Sequence, residues 1–398
     1  MDWYNKWPGK LFTENLKRLG NTVGYLTLKI LLTITHSDSD SFKSINIPEG
    51  VRYLPHSLRY LVWHHYPLKS LPVHFEPNNL VKLNMSSNNL QELWNGVQNL
   101  RNLKDVDLSW SMELVKLPGL SQAPKLQNMG LRGCKSLCQL PNISASIEYL
   151  DLAESGIEDL PSSFESFENL VSLDLNQYGC LRSLLKLPTD IKSLKLFSCV
   201  RLESLPSNIW KLKFLHELNL SHCSRLKILP KISEITSHLQ TLCLLGTGIQ
   251  ELPLSIMNLI GLDTANLSLC ENLKFAPNYS FTSSSPLELH LEGCSILGCI
   301  PSLFLSMNLT SLKLSYCNIP EIPDWLGSLS SLKKLHLRGS KFDRITSSIK
   351  QLHNLIYLNI SHCKNLRHFP ELPSSMAIVE VNDCTSLETV GPYHSIQV

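Results

Sequence analysis

The sequence predicts an α/β solenoid bent into a horseshoe. About fifteen parallel strands line its concave face, and its convex side is mostly irregular or 3₁₀. Three observations carry this reading. One apolar frame recurs along nearly the whole chain with a step of 21 to 24 residues, and such self-similarity is the mark of a stacked repeat architecture. Inside each copy leucines are spaced by two, the period of a strand that buries one face. Leu-Pro pairs such as Leu140-Pro141, Leu205-Pro206 and Leu229-Pro230 then turn the chain, because proline donates nothing to a ladder and biases its predecessor towards extended geometry.

The frame is Leu-x-x-Leu-x-Leu-x-x-Cys/Asn/Ser/Thr-x-x-Leu-x-x-Leu-Pro. Copies begin at Leu58, Leu80, Leu103, Leu126, Ile147, Leu170, Ile191, Leu215, Leu239, Leu262, Pro286, Leu309, Leu332, Leu355 and Met376. This period is that of leucine-rich repeats, which contribute one short strand per copy. The return path holds only about ten residues, which suits extended or short 3₁₀ pieces rather than long helices. Residues 46–398 are therefore expected to form one repeat domain. Residues 1–45 diverge from the frame, as a degenerate first repeat or a disordered segment.

Within a copy such as "LHELNLSHC", Leu218 and Leu220 are expected inside, with Glu217, Asn219 and Ser221 outside. Eight of the twelve cysteines share one frame position: Cys134, Cys199, Cys223, Cys270, Cys294, Cys317, Cys363 and Cys384. Other copies place Asn88, Ser111, Ser155, Thr247 or Ser340 there. A small residue able to hydrogen-bond fits the point where the strand bends inward, so these cysteines are read as structural. A metal site is not expected at the two "SHC" stretches (221–223 and 361–363). They lie six copies apart, about 29 Å at a strand spacing of about 4.8 Å, whereas zinc ligands converge within about 2.3 Å of one ion. Free thiols fit a reducing compartment better than a disulfide in every copy. Of seven Asn-x-Ser/Thr sequons, those at Asn84, Asn219, Asn266 and Asn359 are by-products of the strand consensus.

Composition excludes further classes. The 398 residues carry 36 basic against 34 acidic side chains, a net charge of +2, which gives no general attraction for nucleic acid or anionic membranes. The apolar stretch from Tyr25 to Ile34 contains Lys29 and is too short to span a bilayer. It also lies late for a signal sequence. No phosphate-cradling Gly-x-x-x-x-Gly-Lys-Ser/Thr loop is present, and no nucleophile signature suggests an enzyme. Neither cofactor nor metal is expected.

The first copies carry more specific strings. "WHHYPLKSLP" (Trp63 to Pro72) and "NLVKLNM" (Asn79 to Met85), with the later "LPSSFESFENLVSLDL" and "LPSNIWKLKFLHELNLSHCSRLKILP", resemble the repeat domain of plant TIR-NB-LRR disease-resistance receptors over residues 45–390. The resemblance implies a non-catalytic recognition domain in innate immunity. It would bind a pathogen effector or a guarded host protein and restrain a signalling module, in the cytoplasm with the nucleus as a second compartment. The family's TIR and nucleotide-binding modules have no counterpart in residues 1–45, so the chain is expected to be a fragment, a truncated product or a stand-alone protein. The alternatives are the ectodomain of a membrane-bound leucine-rich-repeat receptor and a stand-alone intracellular scaffold.

Candidate contact residues follow from the frame. Trp110, Tyr149, Phe197 and Tyr357 are placed on outward strand positions, where aromatic residues favour partner contact. Lys313, Lys334 and Arg338, with His336, Tyr316 and Tyr357, are expected to form a basic field towards the C-terminal end, suited to an acidic protein. Asp105, Asp107, Asp151, Glu154 and Asp174, interrupted by Arg132, are its acidic counterpart. Trp63, His64, His65 and Tyr66 either cap the open end or face a neighbouring module. Trp94 and Trp210 are placed in convex-side packing.

Overall fold

The computed structural model describes residues 31–34, 51, 54–94, 96, 98–274, 287–294, 308–322, 324–369 and 371–388. Two compact units make up the chain, Met1–Leu173 and Asp174–Val398. In the N-terminal unit the strands are β1 (Leu31–Ile34), β2 (Tyr60–Trp63), β3 (Lys82–Asn84), β4 (Asp105–Asp107), β5 (Asn128–Gly130) and β6 (Tyr149–Asp151). They pair in parallel and in chain order. β7 (Ser172–Asp174) lies at the division. The C-terminal unit continues with β8 (Ser193–Lys195), β9 (Glu217–Asn219), β10 (Thr241–Cys243), β11 (Thr264–Asn266), β12 (Leu287–His290), β13 (Leu309–Lys313), β14 (Lys334–His336), β15 (Tyr357–Asn359) and β16 (Ile378–Glu380), again parallel neighbours. That is one strand more than the frame counts. β1 falls inside the divergent segment, with Leu31 to Ile34 in register with Tyr60 to Trp63.

Register stacks the leucines in columns. Leu61, Leu83, Val106, Met129 and Leu150 are successive partners in the N-terminal unit, and Leu218, Leu242, Ala265, Leu289, Leu312, Leu335 and Leu358 in the other. All are buried, which keeps every turn of the solenoid dry at its centre. The convex side carries 3₁₀ turns at Ser162–Ser166, Ile209–Lys211, Leu254–Asn258, Asp324–Ser328 and Ser347–Gln351, as the short return path requires. Trp94 and Trp210 are buried there, the latter donating its ring N–H to Pro230 O at 2.9 Å.

The strands are short because each ends in the same two-step corner. The residue just before the inward frame position lies in the left-handed region in all fifteen copies, among them His65, Ser87, Trp110, Glu154, His222, Tyr316 and His362. Eleven of these residues are not glycine, and each holds a conformation that costs about 1–2 kcal/mol. The next side chain points inward and hydrogen-bonds. All eight frame cysteines place Sγ on the carbonyl of the second strand leucine or isoleucine one repeat earlier. Examples are Cys134 to Leu108 (3.2 Å), Cys199 to Leu175 (3.0 Å), Cys317 to Leu291 (2.9 Å) and Cys384 to Ile360 (3.1 Å). These buried carbonyls already accept a corner N–H of their own copy, as Leu108 O does from Ser111 and Leu175 O from Tyr178, each at 3.1 Å, so the thiol adds a second donor on the remaining lone pair. Seven of the eight are buried and Cys384 is half-buried. Tyr66 and Tyr178 occupy the same frame position, fully buried.

Candidate protein-recognition face

Three rows of side chains stand on the outer face of the strands. At the strand exit the row is chemically constrained. Asn84, Asp107, Asp151, Asp174, Asn219, Asn266 and Asn359 each accept the backbone N–H two residues on, at 3.0–3.2 Å. This turn closes the strand with a side-chain oxygen. Asp107, Asp151 and Asp174, expected as components of an acidic surface, are therefore first of all backbone caps. The same geometry explains the four consensus sequons: asparagine caps, and the serine two residues on supplies the capped N–H. Asn84 and Asn359 are buried. Ser221, expected outside, is buried too, because the corner folds over it.

Two aromatic residues also stand elsewhere than expected. Trp110 and Phe197 sit in the corner after the strand, not on it. Trp110 has φ +64° and remains 38% exposed. Its ring lies against the next repeat's corner, where a Cβ added at Gly133 would come within 2.4 Å of it. Tyr316 repeats the arrangement over Gly339, also at 2.4 Å, with 54% of its surface exposed. A side chain on either glycine would displace the ring. Tyr149 and Tyr357 do stand on strands β6 and β15, and Tyr149 is 49% exposed.

In the C-terminal unit the register brings the expected basic residues together. Lys313 pairs with His290 on one side and His336 on the other. Lys334 neighbours Tyr357, whose ring is 4.9 Å from that of His336. Arg338 reaches 5.8 Å from the Tyr316 ring and 2.8 Å from His362 Nε2. His362 Nδ1 in turn lies 3.2 Å from Asp383. Burial holds the pKa of His290 and His336 down, and the Lys313 charge adds to this. The patch is nevertheless not one basic field. Glu288 precedes His290 on β12, Glu292 and Glu380 act on His336, and Asn359 donates to Glu380 at 2.5 Å. Three carboxylates thus interleave with the three cations. Reading β13 to β15 alone misses them, since they come from β12, its corner and β16.

At the other end, Trp63 and Tyr66 are core residues with rings 4.9 Å apart, edge to face. Both side chains lie inside the N-terminal unit. His64 bonds Ser86 Oγ at 2.6 Å and His65 stands exposed in the corner. Among the described residues no group of three or more histidine, cysteine or acidic side chains could hold a metal ion, and no helix is long and apolar enough to cross a membrane. Burial pushes the thiols of Cys134, Cys294 and Cys363 up to about 12 and that of Cys317 to about 11. They are packing groups, not nucleophiles.

Residues 211–396 match the family described as "Disease resistance protein RPS4B-like, leucine-rich repeats", and residues 79–98 match "Leucine Rich Repeat". The chain is 34% identical to Disease resistance-like protein DSC1 of Arabidopsis thaliana, over 87% of this chain and 29% of that protein. It is 30% identical to TMV resistance protein N of Nicotiana glutinosa, over 84% of this chain and 30% of that one. Disease resistance protein RPS6 of Arabidopsis thaliana is 35% identical over 87% of this chain and 30% of its own length. The chain therefore spans under a third of each of these relatives.

Proposed function

The chain belongs to the leucine-rich repeats of plant disease-resistance proteins, and from that premise we propose that it is the protein-recognition part of an intracellular immune receptor. It binds a pathogen effector or a guarded host protein, without catalysis of its own, and restrains a signalling module. The observation that carries this reading is the division of labour on the strands. Inward leucines, exit caps and corner donors recur in copy after copy, while the outward residues between them differ, which gives a rigid scaffold with a variable surface. Free thiols at the inward position of eight of the fifteen copies, seven of them buried, suit the cytoplasm or nucleus.

Contact is assigned to Lys313, Lys334, His336, Arg338, Tyr316 and Tyr357. Since carboxylates interleave with these cations, the partner presents mixed charge with at least one acid opposite Lys334 or Arg338. The salt dependence of binding is shallow. The test is a pairwise screen of the chain against secreted pathogen proteins, followed by titration of a positive pair. Lys334→Glu with Arg338→Glu should weaken binding by about tenfold or more, the cost of truncating a hydrogen-bonded charge pair. Lys213→Glu, on the return segment, should not. Equal affinity in both variants, with the fold intact, would overturn the assignment.

A further inference from the structure

The exit row changes character over β12 to β14. Where seven other copies place an asparagine or aspartate cap, these three place His290, Lys313 and His336, successive partners in the register. The row holds one other lysine, Lys195. There the residue one copy earlier is Asp174, whose carboxylate takes the ammonium at 3.0 Å. The copy before Lys313 offers His290 instead, and the copy after it His336, each one strand spacing away, about 4.8 Å. Lys313 forms no ion pair among the described residues. It lacks the carboxylate that Lys195 has.

The two flanking imidazoles are kept from charging by their surroundings. His290 Nε2 is buried without a hydrogen-bond partner, 3.8 Å from the Glu288 carboxylate. The His336 ring lies 4.9 Å from that of Tyr357. Burial first, and then the Lys313 charge, lowers the proton affinity of both; Glu288 and Glu292 oppose this at His290, and Glu292 and Glu380 at His336. From β11, Asn266 neighbours His290 but is committed to capping Ser268. From β15, Asn359 neighbours His336 and donates to Glu380 of β16. Lys334 stands at the entry of β14, and Arg338 turns to Tyr316 and His362. We infer that a glutamate or aspartate of the partner protein enters over Lys313, in the place Asp174 takes at Lys195, and that His290 and His336 accept protons as it binds. A carboxylate beside an imidazole favours the charged form. Binding therefore takes up protons, and affinity rises as pH falls through the range where the free histidines titrate. Two more cations then join Lys313, Lys334 and Arg338 against Glu288, Glu292 and Glu380, and a balanced face turns basic. The inference rests on the reading that this face binds protein, and adds the group it recognises and a pH control.

The test uses the full chain, deuterated, ¹⁵N-labelled and with ¹³C in its histidine rings. It is titrated with acetyl-Gly-Gly-Glu-Gly-Gly-amide and the glutamine analogue, which keeps the shape and loses the charge. Saturable shifts are expected at the His290, Lys313 and His336 amides with the glutamate peptide alone. Affinity at about pH 5.5 should exceed that at about pH 7.5 by about three- to tenfold, since one pKa unit gained by one histidine is worth about tenfold. Between these values the same peptide should move both imidazole signals towards the charged form. Lys313→Met should weaken binding several-fold. The pair His290→Asn/His336→Asn installs the row's usual residue and should bind with one affinity at both pH values. His216→Asn, at the entry to β9, should keep the dependence. Glutamine peptide binding as well as glutamate would overturn the inference. So would equal wild-type affinity at both pH values, a pH dependence that survives in the asparagine pair, or no saturable shift with either peptide. The peptide stands in for the natural partner, so failure here leaves the Lys334→Glu/Arg338→Glu comparison standing, and a failed partner screen leaves this titration standing.

Discussion

Replacing Ser340 by cysteine should stabilise the C-terminal unit. Ser340 occupies the inward frame position, is buried, and its Oγ has no hydrogen-bond partner. One repeat to either side, Cys317 and Cys363 reach back to Leu291 O and Leu337 O at 2.9 and 3.4 Å. The corresponding acceptor for residue 340 is the carbonyl of Leu314, which the longer C–S bond of cysteine can reach and the serine hydroxyl does not. Ser155 is stranded in the same way, whereas Ser111 accepts from Asn88 Nδ2 at 2.8 Å and makes a long hydrogen bond of 3.5 Å to Met85 O. A buried polar group without a partner costs about 1–3 kcal/mol. Exchanging it for a less polar group that also finds an acceptor should return about 1–2 kcal/mol. With a urea slope of about 3 kcal/mol/M, the midpoint should rise by about 0.3–0.7 M. The assay is urea unfolding followed by circular dichroism and tryptophan fluorescence, on wild type, Ser340→Cys, Ser340→Ala and Cys363→Ser. Ser340→Ala should be neutral or slightly stabilised, and Cys363→Ser should fall by an amount like the gain at 340. A midpoint for Ser340→Cys at or below wild type, with Ser340→Ala destabilised, would refute the orphan-hydroxyl argument.

Stability should also fall at alkaline pH. The thiols of Cys134, Cys294 and Cys363 ionise near 12 when folded against 9.0 when free, so between these values the unfolded chain binds fewer protons. Each contributes its full stability below about pH 9 and loses about 1.4 kcal/mol per pH unit above it; urea midpoints measured from pH 8 to 11 check this. At neutral pH, exposed Cys138 should react with a thiol reagent well before the frame cysteines, which should label fully only on denaturation. Gly156→Ala should cost about 3 kcal/mol or more, since its Cβ would lie 2.0 Å from the Lys135 carbonyl oxygen, while Gly119→Ala, with nothing within 4 Å, should be near neutral in the same melt.

Much of this fold is legible because its strongest signal is a spacing. Leu218, Leu220, Leu358 and Ile360 are buried as the period of two requires, and the cysteines fall on one position because one geometry repeats. What escapes the eye is carried by conformation and not by residue type. The left-handed corner accepts tryptophan, glutamate, tyrosine and histidine alike, so only the four copies with glycine hint at it. That is why Trp110 reads as a strand residue until the backbone is seen. The exit caps hide for the opposite reason. Asp107 and Asn219 do one job in the backbone, yet sequence reading assigns the first to a charged surface and the second to a consensus. Trp63 and Tyr66 look like a rim because they come early in the frame, but β1 stacks outside them and a strand of divergent sequence gives no period to recognise. Glu288, Glu292 and Glu380 belong to the Lys313 patch only through pairing, which no linear window contains.

The thiol-to-carbonyl contact always joins the same two frame positions of adjoining copies, so it carries no address. Cys134 would find an equivalent acceptor above any copy whose strand ends alike, and Leu108 O would accept from any donor set over it. A gene lineage could therefore drop or duplicate a period bounded by cysteine corners, by slippage or unequal crossing-over, and leave that seam chemically matched. Only outward side chains would acquire new neighbours. Copy number can then drift as a heritable trait while stability stays level, and each change reshuffles the exposed surface at once, a faster source of novelty than point substitution.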